Sequence, residues 1–122
     1  MRKFLLALAA LTAITNGFVL AASVFGPDIG PKADVVAVRA AVKQRSLQPL
    51  GVHISGNYAL LEWTDSHDDG IAIYKRVSGE RWKLLNSDGG VYQIQDLVHY
   101  GVPVATAHTL CSGWPKGYAL CQ

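Results

Sequence analysis

The side chains with the most chemistry to offer lie together in Thr64-Asp65-Ser66-His67-Asp68-Asp69-Gly70. Three carboxylates, Asp65, Asp68 and Asp69, and the imidazole of His67 combine hard oxygen with borderline nitrogen donors, a set that could hold a divalent ion such as copper or zinc. The spacing departs from the helix-flanked calcium loop, which places acidic groups at alternating positions and ends on a distant Glu. Turn formation alone also selects Asp, Ser and Gly at a hairpin tip, because short polar side chains bond their own backbone. A surface turn is therefore the first reading of this stretch, and a metal site made by Asp65, His67, Asp68 and Asp69 is the second.

No other constellation reaches as far. The histidines His53, His67, His99 and His108 form neither a His-x-His nor a His-x-x-x-His pair, and His99 and His108 fall at surface edges of separate helices. Ser55-Gly56 and Ser112-Gly113 lack the strand-to-helix elbow that exposes a nucleophile. Glu62 could pair with an Asp of the 65–69 loop, but alternation puts it on the less apolar strand face, where ordinary exposure is expected. With no phosphate loop or dinucleotide fingerprint either, the sequence points to no catalytic residue and no cofactor.

These residues must be positioned by the alternating stretch from residue 52 to residue 85. It predicts a four-stranded antiparallel meander: strands at 52–55, 58–64, 71–77 and 80–86, turning at Gly56-Asn57, at the 65–70 loop and at Ser78-Gly79. Ala59, Leu61 and Trp63 share the likelier core face of the second strand. The third strand has apolar residues on both sides, so both faces of the sheet are expected to be partly covered. Trp63 and Trp82 are expected in the core, since so small a domain needs them there.

Ahead of the meander, Pro31 opens a helix over residues 31–46 with Val35, Val38, Ala41, Val42 and Arg45 in one stripe. Its valines lower intrinsic propensity, so it should depend on packing against the sheet. Lys32, Arg39 and Lys43 form a basic side that reads as solvated. After the meander, residues 86–90 supply turn and cap candidates. Ile94, Leu97 and Val98 share a helical face that stops at Gly101, and Val104, Ala107, Leu110 and Cys111 continue a second short helix.

Residues 1–23 have the form of a secretory signal peptide: Arg2 and Lys3, an uncharged apolar run from Phe4, then small residues, with cleavage expected after Ala21, Ala22 or Ser23. Residues 24–122 then make a single small domain. Setting Arg2 and Lys3 aside leaves nine basic and nine acidic residues, a balance that gives no reason to expect nucleic acid. The membrane is met only through the leader, and the location is periplasmic or secreted. In that oxidising setting Cys111 and Cys121 read as a disulfide that pins an otherwise loose tail.

Ser55-Gly56-Asn57-Tyr58-Ala59-Leu60 through Trp63, with Gly70-Ile71-Ala72, Lys75-Arg76, Gly79, Trp82, Gly89-Gly90 and Leu97 to Gly101-Val102-Pro103, resembles a family of small exported bacterial proteins. Some of these carry the label copper uptake system-associated protein, and many are described only as hypothetical. The resemblance covers about half of the chain and is carried by turn and core positions. A Cys is expected in that family near the end of the fourth strand, where this chain has Leu84-Leu85-Asn86-Ser87. The order of elements, helix then meander, is similar to cystatin-like and nuclear-transport-factor-like folds, which host many unrelated tasks. The sequence thus predicts an α+β domain of the bacterial cell envelope, a non-enzymatic accessory or ligand-binding module whose partner is unspecified, another envelope protein being one candidate. The alternative is a periplasmic copper- or zinc-handling protein using the 65–69 loop.

Overall fold

The computed structural model describes residues 27–114 and residue 121. The expected leader at residues 1–23 lies outside the described residues, as do residues 115–120 of the segment between the two cysteines. The domain is α+β. One helix, α1 (Lys32–Lys43), precedes four strands, β1 (Gln48–Ser55), β2 (Tyr58–Thr64), β3 (Asp69–Ser78) and β4 (Arg81–Asp88), and two short helices follow, α2 (Ile94–His99) and α3 (Val104–Cys111). The strands pair antiparallel in chain order.

Alternation puts apolar residues on both faces of this sheet, and both are covered. On one face Val52, Ile54, Ala59, Leu61, Ala72 and Tyr74 pack against Val35, Val38 and Val42 of α1. On the other, Leu60, Ile71 and Ile73 meet Tyr92, Leu97, Val102, Ala107, Leu110 and Cys121. Consecutive residues of β2, Ala59, Leu60 and Leu61, are each fully buried, which only a strand sandwiched between two layers permits. The helical stripes are narrower than their spacing suggests. Ala41 is half-buried and Arg45 exposed on α1, while Val98 of α2 and Val104 of α3 face outward. Trp63 and Trp82 are half-buried rather than internal. The Arg76 guanidinium lies 4.6 Å from the Trp82 ring centroid and reaches Asp34 of α1 at 2.7 Å.

Arg39 does not belong to a solvated basic side. Its guanidinium donates to the carbonyls of Pro49 and Leu50 at 3.2 and 2.9 Å and to Asp28 Oδ1 at 2.8 Å. The register of β1 against β2 shifts between Pro49 and Val52, so β1 begins before Gly51 and carries a bulge at Leu50 and Gly51. Arg39 reaches the carbonyls at its start. Asp28 Oδ1 also accepts the Val52 amide at 3.0 Å, and Ile29 bridges His53 in parallel, which docks the lead-in segment on the outer edge of β1.

A second irregularity sits in β4. Tyr74 faces Leu84 while Ile73 faces Asn86, so Leu85 is an extra residue and the inside-outside parity inverts beyond it. Asn86 thereby joins the C-terminal face, where its Nδ2 donates to Tyr100 Oη at 2.7 Å and the Tyr92 hydroxyl donates to its backbone carbonyl at 3.2 Å. The strand runs two residues past its expected end at Asn86, so Ser87 and Asp88 are strand and not turn. The β3–β4 loop is Gly79-Glu80, one residue later than Ser78-Gly79, since Ser78 still pairs with Arg81. No cap comes from residues 86–90: the Gln93 amide at the start of α2 donates to Asp96 Oδ2 at 2.8 Å. Gly101 ends α2 at φ +100°, where the Val102 amide reaches the Leu97 carbonyl at 3.0 Å and Val102 turns into the core.

Arg39→Ala should lower stability by about 2 kcal/mol, because it removes the donor to two carbonyls and one of the two partners of Asp28. Arg39→Lys should recover less than half of that, since one ammonium cannot fork to three acceptors. Urea titration with an unchanged m-value is the measurement.

Candidate functional site

At the end of the sheet where β2 passes into β3 and β4 finishes, Trp63, Asp68, Asp69, Ser87, Asp88 and Gly89 line an open cleft of about 500 Å³. Register places its parts. Trp63 sits opposite Gly70, Thr64 opposite Asp69, and Ile71 opposite Asp88. The indole Nε1 donates to Ser87 Oγ at 2.9 Å and, more weakly, to the Ile71 carbonyl at 3.3 Å, which ties the ring across β3 to β4. The ring lies on the backbone of Gly70, where an added Cβ would collide with the indole and with the Asp88 carbonyl. Glycine is needed there for close approach.

The loop residues singled out by sequence divide into two groups. Asp65 Oδ1 accepts the backbone amides of Asp68 and His67 at 2.6 and 2.7 Å, and these bonds, the Asp68 one foremost, hold its carboxyl below the usual range. This is an Asx turn, closed by the Asp65 amide on the Asp68 carbonyl at 2.9 Å and by Thr64 Oγ1 on the same carbonyl at 3.1 Å. His67 is exposed, with its Nδ1 3.1 Å from Ser66 Oγ. Asp68 and Asp69 line the cleft with Asp88 of β4; alternation sets Asp69 and Asp88 on the face of Ile71, and Trp63 and Ser87 on the face of Ala72. Among the described residues, no group of three or more His, Cys, Asp or Glu side chains is gathered to hold a metal ion.

Negative charge concentrates at the cleft. Glu62, half-buried on β2, has its carboxyl pushed up, by burial first and by the charge of Asp69 second. Asp88 was hidden from sequence reading because residues 86–90 look like a turn. Only the extension of β4 brings it beside Asp69.

The disulfide between Cys111 and Cys121 is formed. Cys121 is buried against the C-terminal face and its backbone bridges Tyr92. His99 and His108 are exposed, as their positions implied, whereas His53 is internal, only 2% exposed. No helix among the described residues is long and apolar enough to cross a membrane. No family model, curated protein or solved structure matches this chain. The functional reading therefore rests on its own geometry.

Gly70→Ala should push the Trp63 indole off β3 and break its bond to Ser87. A red-shifted tryptophan emission and a stability loss of about 2 kcal/mol are expected, within the range for a strained small-to-large change. A Gly70→Ala protein with the wild-type emission spectrum and melting curve would contradict this account of the cleft.

Proposed function

We propose that the chain is an exported, non-enzymatic accessory or ligand-binding domain of the bacterial cell envelope, and that its binding place is the cleft beside Trp63, suited to a cationic group on a ligand or partner protein. The observation that carries this reading is the run of carboxylates at this end of the sheet: Asp68, Asp69 and Asp88 line the cleft with Trp63, and the register sets Asp69 and Asp88 on the same sheet face as Glu62, opposite the indole. Carboxylates so placed repel one another, and a cation entering among them relieves that repulsion. Export is supported by the form of residues 1–23 and by the disulfide, which persists in oxidising compartments. The helix-then-meander order supports a likeness to cystatin-like or nuclear-transport-factor-like folds, an architecture that supplies no task by itself.

Calorimetric titration of the disulfide-intact chain with spermidine and with a short Lys- and Arg-containing peptide tests the reading. Binding should weaken with added salt and fall by about tenfold or more in Asp69→Asn/Asp88→Asn. Absence of heat with every organic cation would sink the proposal. Heat with copper or zinc alone, lost in His67→Ala, would transfer the function to the metal-handling reading of Asp65, His67, Asp68 and Asp69.

A further inference from the structure

We propose that Trp114 is an acid-sensitive latch: protonation of His53 releases the Trp114 indole from its stack and uncovers the β1 surface beneath it. The two rings lie parallel, 3.5 Å between centroids and 3° between planes. Trp114 is held in place by its Nε1, which donates to the Leu110 carbonyl at 3.0 Å. Gly113, at φ +83°, brings the chain so close that an added Cβ would sit 3.5 Å from the His53 ring and 3.3 Å from Ile29. His53 is thus enclosed by the lead-in segment, by the end of α3 and by the indole. Its Nε2 is buried and has no hydrogen-bond partner among the described residues.

A neutral imidazole tolerates this environment, because an unprotonated ring nitrogen without a donor is only a weak orphan. An imidazolium does not. It gains something from the indole face, but its Nε2–H becomes a charged donor pointed at no acceptor, a penalty that water removes once the indole moves away. The surrounding groups pull in opposite directions. Asp28 on the lead-in segment and the Leu110 carbonyl at the end of α3 both favour the proton, while burial opposes it and dominates, holding the ring down to about 4. Strand β2 presents the apolar Leu60 opposite His53, and on α3 the imidazole of His108 is exposed.

The sign follows from linkage. A ring freed into water titrates near the ordinary histidine value of about 6.5, so the open form binds the proton more tightly than the closed one. Above about 6.5 neither form is protonated and pH has no leverage. From there down to about 4 the open population rises by up to about tenfold per pH unit, and below that the effect saturates. Opening of the indole leaves Cys111 of α3 bonded to Cys121, which stays bridged to Tyr92.

Fluorine NMR of the disulfide-intact chain labelled with 5-fluorotryptophan reads the latch directly. The Trp114 resonance, assigned by Trp114→Phe, should move toward its solvent-exposed position between pH 6.5 and 4 while those of Trp63 and Trp82 stay fixed. The change should vanish in His53→Phe, which keeps a stacking ring that cannot be protonated. Should His53→Phe fail to fold, the wild-type His53 ring can be followed by proton–nitrogen NMR, where a titration midpoint coinciding with the Trp114 transition supports the latch. A Trp114 signal unmoved down to pH 4, or all three tryptophans shifting together as in global unfolding, overturns it.

Discussion

The fold depends on one constraint: its sheet has no face that can be left to water. Strand β2 buries consecutive residues, and β3 does the same from Gly70 to Tyr74, so apolar area points both ways out of a single layer. Burying such area is the main favourable term for a domain of this size, at roughly 25 cal/mol per Å². Two covers are therefore required, and they are made differently. The first is a regular amphipathic helix, α1, whose valines do little for helix formation and much for packing. The second is assembled from two helices of six and eight residues, too short to persist alone, together with Tyr92 and the disulfide-linked Cys121. The disulfide is where that second cover is closed. For a short loop such a crosslink contributes roughly 2 to 3 kcal/mol by restricting the unfolded chain.

Covering both faces leaves polar groups in awkward places, and the structure answers with long or branched polar side chains. Arg39 reaches from α1 to the carbonyls of the β1 bulge and to Asp28, joining helix, strand and lead-in segment through one guanidinium. Asn86 plays a comparable part on the opposite face, binding Tyr92 and Tyr100 after the β4 bulge has turned it inward. Among the described residues this solution is incomplete at two buried nitrogens, Trp82 Nε1 and His53 Nε2, and over His53 a stacked ring rather than a hydrogen bond closes. Incomplete satisfaction of this sort marks where a small change in charge has the greatest effect on a local equilibrium.

The cleft beside Trp63 is the counterpart at the sheet's end. There the covers stop, the strands run on, and Asp68, Asp69 and Asp88 stay exposed along a cleft that is also lined by the Trp63 ring, fixed by Ser87 and seated on Gly70. The hairpin that sequence marks out by composition divides its labour in space. Asp65 spends its carboxylate on two backbone amides and shapes the turn, which leaves Asp68 and Asp69 to set the potential at the cleft.

Sequence alone determined the α+β class, the four strands in order, the Gly56-Asn57 turn, the valine stripe of α1, the Gly101 stop and the cysteine pairing. Each of these follows from short-range rules of alternation, glycine geometry and compartment chemistry. Tertiary structure decided the rest. A bulge changes the parity of every residue beyond it, so that Asn86 changes face, and pairing with β3 carries Ser87 and Asp88 from apparent turn into strand, neither leaving a local mark. Whether a polar side chain is solvated depends on elements distant in the chain. Arg39 looks like part of a basic face until the β1 bulge supplies its acceptors, and nothing in the spacing of His53 marks it as internal until α3 and Trp114 close over it.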